Sequence, residues 1–201
     1  VPPPPPPAPI PPALAQPGVL IADRRYAWAV AARSDGDLAA AADLFAQAAE
    51  AAPGWAAAWL ALGEVRLRQG EHGAAIAAFR QALATDPADR LGAGLQLARL
   101  GAADAASAIT PAYVATLFDD FAPRFEATLV GRLGYRGPEQ VAEAVRSACR
   151  QVGRAPAFRR LIDLGCGTGL GAVPFAGIAE ALDGVALSPR MVEAARRRGL
   201  Y

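Results

Sequence analysis

The residues best suited to chemistry lie together in one run, Leu161-Ile162-Asp163-Leu164-Gly165-Cys166-Gly167-Thr168-Gly169. Leu161 to Leu164 is short, apolar and bounded by glycine, the pattern of a central parallel strand buried on both faces. Gly165, Gly167 and Gly169 remove side chains where a ligand would approach backbone amides at the start of a following helix. That helix is expected to begin near Leu170 or Gly171, with Pro174 keeping its start close by. Glycines alone do not name a ligand. A dinucleotide fingerprint fits Gly167, Gly169 and Ala172 only if it begins two residues after the strand end. Asp163 would also repel a pyrophosphate. An NAD-dependent oxidoreductase is therefore disfavoured, and the carboxylate suits a cationic or amine-bearing ligand.

A second short strand fits Gly184 to Leu187, and Ser188-Pro189 forms a cap and first residue for a helix over Arg190 to Arg198. Strand, glycine turn, helix, strand and helix make half of a doubly wound sheet. Upstream, Thr110-Pro111 opens a helical segment from Tyr113 to Glu126, with Leu117, Phe118, Phe121, Phe125 and Leu129 recurring as an apolar stripe, either a core stripe or a substrate lid. Pro138 after Gly137 opens another helix through about Arg150, and Gly153 to Pro156 links it to the first strand.

Leu161 to Gly169 resembles the first motif of the class I S-adenosylmethionine-dependent methyltransferases. Gly184-Val185-Ala186-Leu187-Ser188-Pro189-Arg190-Met191 resembles their second strand and its helix cap. Phe118-Asp119-Asp120-Phe121-Ala122-Pro123-Arg124-Phe125-Glu126 is similar to the lid segment of many small-molecule members. Taken with the repeats described next, the chain resembles the N-terminal part of bacterial tetratricopeptide-containing methyltransferases. The resemblance implies a Rossmann-like α/β domain with S-adenosyl-L-methionine as cofactor. Asp163, Gly165, Cys166, Gly167, Thr168 and Gly169 would surround it, with Leu187, Ser188 and Met191 contributing from the second strand and its helix. The chemistry implied is methyl transfer to an acceptor that the sequence does not name, with catalytic residues unassigned. One departure stands out. The acidic residue that ends the second strand in that family, and binds both ribose hydroxyls, corresponds to Ala186. Asp183 lies before the strand and is not an obvious substitute. Loss of such charge-assisted bonds would cost about 2–3 kcal/mol of binding. The competing expectation is a non-catalytic adaptor whose cofactor domain is degenerate. Two strands are too few for the implied fold, so the chain is also expected to be part of a longer protein.

Ahead of these elements a constant offset pairs Gly36 with Gly70, Ala41 with Ala75, Phe45 with Phe79, Ala48 with Ala82 and Pro53 with Pro87. The offset, about 34 residues, is the length of a helix-turn-helix repeat. Trp59, Leu62, Gly63, Ala75, Phe79, Ala82 and Pro87 resemble the tetratricopeptide pattern, with Arg66 where that pattern prefers tyrosine. The earlier copy is degenerate, having Trp28 and Ala29 in place of the Leu-Gly pair. Small residues at Gly63 and Ala75 let paired helices approach, Phe79 fills the space between repeats, and Pro87 stops the second helix. Residues 89–103 form an incomplete third unit around Leu91, Leu95, Leu97 and Leu100. Such a short superhelix is expected to bind a protein or peptide on its concave face or to pack on a neighbouring domain. The expected organisation is a proline-rich tail over 1–20, tetratricopeptide-like repeats over 21–105, and the first part of the methyltransferase domain over 106–201. Within the tail, Pro2 through Pro7, Pro9, Pro11 and Pro12 favour polyproline II.

Composition excludes several classes. Twenty basic residues, all arginine, against nineteen acidic ones leave a charge of +1 and no electrostatic reason to expect nucleic acid. Arg196, Arg197 and Arg198 suit a helix C-terminus. One histidine, His72, and two cysteines without a CxxC spacing point away from zinc and from a disulfide framework. His72 fits a turn between helices, Cys149 an apolar helix position, and Cys166 a small buried filler. Trp28, Trp55 and Trp59 fit repeat packing. No apolar run is long enough to span a membrane and no signal peptide is indicated, so a cytoplasmic location is the expectation.

Overall fold

The computed structural model describes residues 16–201, so the proline-rich run expected to favour polyproline II lies outside the described residues. The chain divides into two compact units, one ending at Tyr113 and the other beginning at Val114.

The earlier unit is helical. α1 (Leu20–Asp35) pairs with α2 (Leu38–Ala51), and α3 (Ala56–Arg68) pairs with α4 (His72–Thr85). The repeat is visible in the backbone. Gly36 and Gly70 both take the left-handed conformation, with φ of 86° and 80°, and nothing stands within 4 Å of a Cβ built on either. Backbone conformation, not space, therefore requires glycine there. In each turn the next amide reaches back to the ending helix, Asp37 N–H to Ala32 C=O and Glu71 N–H to Arg66 C=O, both at 2.9 Å. Asp37 then caps α2 by accepting from the Ala40 amide at 2.9 Å. His72, expected in the turn, is the first residue of α4.

Phe45 and Phe79 are fully buried at equivalent positions, flanked by the buried pairs Ala41 and Ala75, and Ala48 and Ala82. Burial of each phenylalanine contributes about 1.5–3 kcal/mol. The expected third unit is a short helix, α5 (Ala93–Arg99), whose Leu97 shares a core with Ala75 and Phe79. Trp55 and Trp59 pack as expected, the Trp59 indole donating to the Pro53 carbonyl at 3.0 Å. Trp28 does not. It is 57% exposed, a correction to the expectation that all three tryptophans fill the repeat core.

α6 (Pro111–Phe121) is capped by Thr110, whose Oγ1 accepts from the Tyr113 amide at 3.0 Å. The helix expected to continue through Glu126 ends at Phe121, because Pro123 has no amide to donate. A 3-10 turn, Ala122–Arg124, and a π-helical stretch, Ala127–Arg132, follow. Phe125 meets Phe118 and Phe121 edge-on, with centroids 6.4 Å and 5.5 Å apart. α7 (Gly137–Gln151) opens at Pro138 as read from the sequence.

β1 (Phe158–Leu164) and β2 (Ala179–Val185) are parallel, with Ile162 opposite Asp183 and Leu164 opposite Val185. The glycine turn and a 3-10 helix, Leu170–Phe175, connect them, and α8 (Pro189–Arg198) follows. The expectation of a Rossmann-like sheet is corrected here. Among the described residues the sheet has two strands, it is open, and no doubly wound core exists. β1 is not a central strand buried on both faces, since Ile162 is 63% exposed and Leu164 81%. The regular helix expected near Leu170 is the short 3-10 turn because Pro174 falls inside it. β2 starts earlier than the sequence suggests and leaves Leu187 outside the strand.

Candidate functional site

Two regions combine exposed surface with ordered side chains, and each lies within one unit. In the repeats, Asp23, Tyr26, Val30 and Arg33 recur at three- and four-residue steps along α1, and Ala57, Leu60, Glu64 and Leu67 do so along α3. Such spacing places each set on one helix face. All eight are half-buried. The two faces are joined by an ion pair, Arg33 Nη1 to Glu64 Oε2 at 3.3 Å. The Arg33 guanidinium also lies 5.6 Å from the centroid of the Phe45 ring, a cation–π distance. Tyr26 meets Phe45 edge-on at 5.1 Å and leans on Trp55 at 4.5 Å. Burial pushes the Glu64 carboxyl above the usual glutamate range, with Arg33 opposing the shift, and burial likewise raises the Tyr26 phenol. Aliphatic and aromatic side chains around one charge couple suit a polypeptide segment better than an anionic polymer.

Arg66 pairs with Glu71 at 2.8 Å across the turn into α4. The Gln69 side-chain amide donates to the Leu38 carbonyl at 3.1 Å, tying that turn to the start of α2. A second carboxylate anchor was not foreseen. Asp89, buried and left-handed with φ 52°, accepts from the Ala93 and Gly94 amides at 2.7 and 2.9 Å and so caps α5. Burial holds its carboxyl above the ordinary range, and the two amides oppose that shift. The spacing of Asp89 four residues ahead of Ala93 is the signal that could have found it.

In the later unit the glycine turn forms as a turn. Gly165, Gly167 and Gly169 have φ of 87°, 53° and 84°. Its amides serve the fold. Gly165 N–H and Cys166 N–H both donate to the Val185 carbonyl, at 2.7 and 3.0 Å, and Gly169 N–H donates to the Cys166 carbonyl at 2.8 Å. The turn thereby holds the end of β2. Asp163 accepts from the Tyr201 hydroxyl at 2.8 Å, and that contact, with burial the larger cause, drives the Tyr201 phenol far above its usual range. Cys166 is buried, and burial together with the Asp163 charge raises its thiol, as befits a filler and not a nucleophile. Thr168 is buried, its carbonyl accepting from Arg198 Nε at 2.7 Å. A cavity of about 430 Å³ lies beside these residues, with Val141, Val145, Leu161 and Phe175 in its wall.

Of the other residues assigned to a cofactor, Ser188 caps α8 by accepting from the Met191 amide at 3.1 Å, and Met191 is buried under that helix. Leu187 is exposed. Asp119 extends the cap, accepting from the Ser188 hydroxyl and, at 3.0 Å, from the Arg190 amide. Glu126 pairs with Arg198. The structure thus brings Asp163, the glycines, Cys166 and Thr168 together around one turn. It gives Ser188 and Met191 structural work at a helix start.

The tetratricopeptide repeat family matches residues 32–100, covering α2 to α5 and the end of α1. Comparison with curated proteins returns no match, and comparison with solved structures returns none. The expectation of an S-adenosylmethionine-dependent methyltransferase is overturned. The family match rests on the repeats and stops ahead of both strands, and the sheet that would have to hold S-adenosyl-L-methionine is an open pair. The enzymatic assignment and its cofactor fall with that fold. No group of metal-ligating side chains occurs among the described residues, and no helix there is long and apolar enough to cross a membrane.

Proposed function

We propose that this chain is a protein-interaction module whose helical repeats take up a segment of a partner protein along the shared face of α1 and α3. One observation carries the proposal. Arg33 and Glu64, on the first helices of successive repeats, meet across the gap between them, so Tyr26, Val30, Leu60 and Leu67 belong to one continuous surface. In repeat proteins the first helices of successive units form extended concave surfaces of this kind. The family match over residues 32–100 supports the same assignment. A cytoplasmic setting belongs with it, in keeping with the unpaired thiols of Cys149 and Cys166.

Selection of peptides from a random display library on the whole chain tests the proposal. Selected peptides should bind saturably, and both Arg33→Glu and Glu64→Arg should weaken them by about tenfold or more, the size of one lost charge-assisted contact. Peptides that bind both variants as tightly as the unaltered chain would refute it.

A further inference from the structure

β1 leaves one edge of the sheet open. In a parallel pair, alternate residues of a strand turn their amide and carbonyl toward the neighbouring strand. The Phe158 amide donates to the Ile178 carbonyl at 2.8 Å, and the register sets Arg160 against Ala181, Ile162 against Asp183 and Leu164 against Val185. β2 therefore takes the backbone groups of Phe158, Arg160, Ile162 and Leu164. Those of Arg159, Leu161 and Asp163 point the other way, and none of them has a backbone partner among the described residues. The strand runs for seven residues without a proline, and its offset from β2 is constant, so no bulge interrupts it. Such an edge accepts an extended strand. Its side chains say which one.

We propose that β1 pairs antiparallel with β1 of a second copy of this chain about a two-fold axis at Leu161, joining the two sheets into one. Residues whose backbone faces the open edge must meet residues of the same kind, which leaves few registers. Centring the axis on Leu161 sets Leu161 opposite its own copy and Arg159 opposite Asp163, twice over by symmetry. Every free amide and carbonyl of Arg159, Leu161 and Asp163 then has a partner. A slip of two residues in either direction sets Arg159 or Asp163 against Leu161 and leaves the charges unmatched. Opposite charges directly across a strand pair attract, and both are available here. Arg159 is exposed and makes no ion pair among the described residues, whereas Arg160 is held by Asp183 at 2.8 Å on the other face. Asp163 accepts from Tyr201 through Oδ2 alone. The same register covers apolar surface. It sets Leu164, 81% exposed, against Phe158 of the second copy, and Ile162 against the aliphatic stem of Arg160. The outer edge of β2 offers no such match. Its outward residues are Ala179, Ala181, Asp183 and Val185, whose single charge meets no opposite in a second copy. The pairing lies within the later unit and stands apart from the repeat face proposed above.

Sedimentation equilibrium of the whole chain across the micromolar range should show a monomer–dimer equilibrium. Arg159→Asp sets carboxylate against carboxylate, and Asp163→Arg sets guanidinium against guanidinium, so each variant alone should dimerise at least about tenfold more weakly. Mixed in equal amounts, the two variants restore both opposite-charge pairs, and a heterodimer should return. Damage to the fold at Asp163, which also holds Tyr201, would persist in the mixture, whereas a lost charge pair would not. Leu161→Cys reads the register separately. Directly opposed Cα atoms in such a pair lie about 5.5 Å apart, within disulfide range. Mild oxidation should therefore link two Leu161→Cys chains and leave Ile162→Cys chains and the unaltered chain unlinked. A chain that stays monomeric throughout would overturn the proposal and leave the edge to a strand of another protein. A dimer indifferent to both charge reversals and unlinked at Leu161→Cys would overturn it too, moving the contact to another surface such as α6 or α7. With both charge variants folded by circular dichroism, a mixture that fails to associate would have the same force.

Discussion

The ring of Phe79 stands where a side chain on Gly63 would have to go. A Cβ built on Gly63 meets Phe79 Cε1 at 2.5 Å and Cδ1 at 2.6 Å. The two residues fix how closely α3 and α4 approach, and Phe79 is fully buried. Gly63→Ala gains about 1 kcal/mol of helix propensity, but overpacking of this kind costs about 1–3 kcal/mol. A net loss is expected in urea unfolding, relieved when Phe79→Leu is added.

Trp28 and Leu62 occupy one repeat position with opposite burial. Leu62→Ala should cost about 2–4 kcal/mol through loss of buried contacts. Trp28→Ala should change stability by less than about 0.5 kcal/mol, as exposed substitutions do. Thermal unfolding of both variants checks the difference.

The repeats were legible because their constraints are local and recur. Glycine at Gly36 and Gly70, phenylalanine at Phe45 and Phe79, and proline at Pro53 and Pro87 each answer a backbone or packing need once per repeat. The later unit was legible as strands and turns and misleading as a fold. Asp163 and the glycines after Leu164 specify a tight turn out of a strand, and the turn is there, but a nine-residue run does not determine how many strands surround it. The exposure of Ile162 and Leu164 follows from that missing context. Asp119 escaped notice because its value as a cap depends on a partner that the sequence alone does not bring near, seventy-one residues away for its contact with Arg190.

The Ser188 hydroxyl links Asp119 to the first turn of α8. Ser188→Ala removes an N-cap and should destabilise the later unit by about 1 kcal/mol. Hydrogen exchange checks this, with the Met191 amide losing protection and the amides of α2 and α4 unchanged.

Glu64 and Glu126 should respond to pH with opposite signs. Burial raises the Glu64 carboxyl above its unfolded value, so its contribution is most favourable in acid and is lost as pH rises through the raised value. At Glu126 burial also pushes upward, but the hydrogen bonds of Arg198 and Thr168, with the Arg198 charge, outweigh it and hold the group below the usual range. Its contribution is present above that range and lost as pH falls through the lowered value. Unfolding measured across the acidic range should show the unaltered chain losing ground to Glu64→Gln as pH rises and losing ground to Glu126→Gln as pH falls.

The central claim is that a partner segment lies along the shared face of α1 and α3. Photo-crosslinking with benzoylphenylalanine placed at Leu60, and separately at exposed Leu133 of the later unit, tests it most directly with a library-selected peptide. The account predicts efficient crosslinking from position 60, none from position 133, and no change in peptide affinity on Asp163→Ala. Crosslinking from position 133 alone, with affinity lost in Asp163→Ala, would contradict it and move the binding function to the glycine turn.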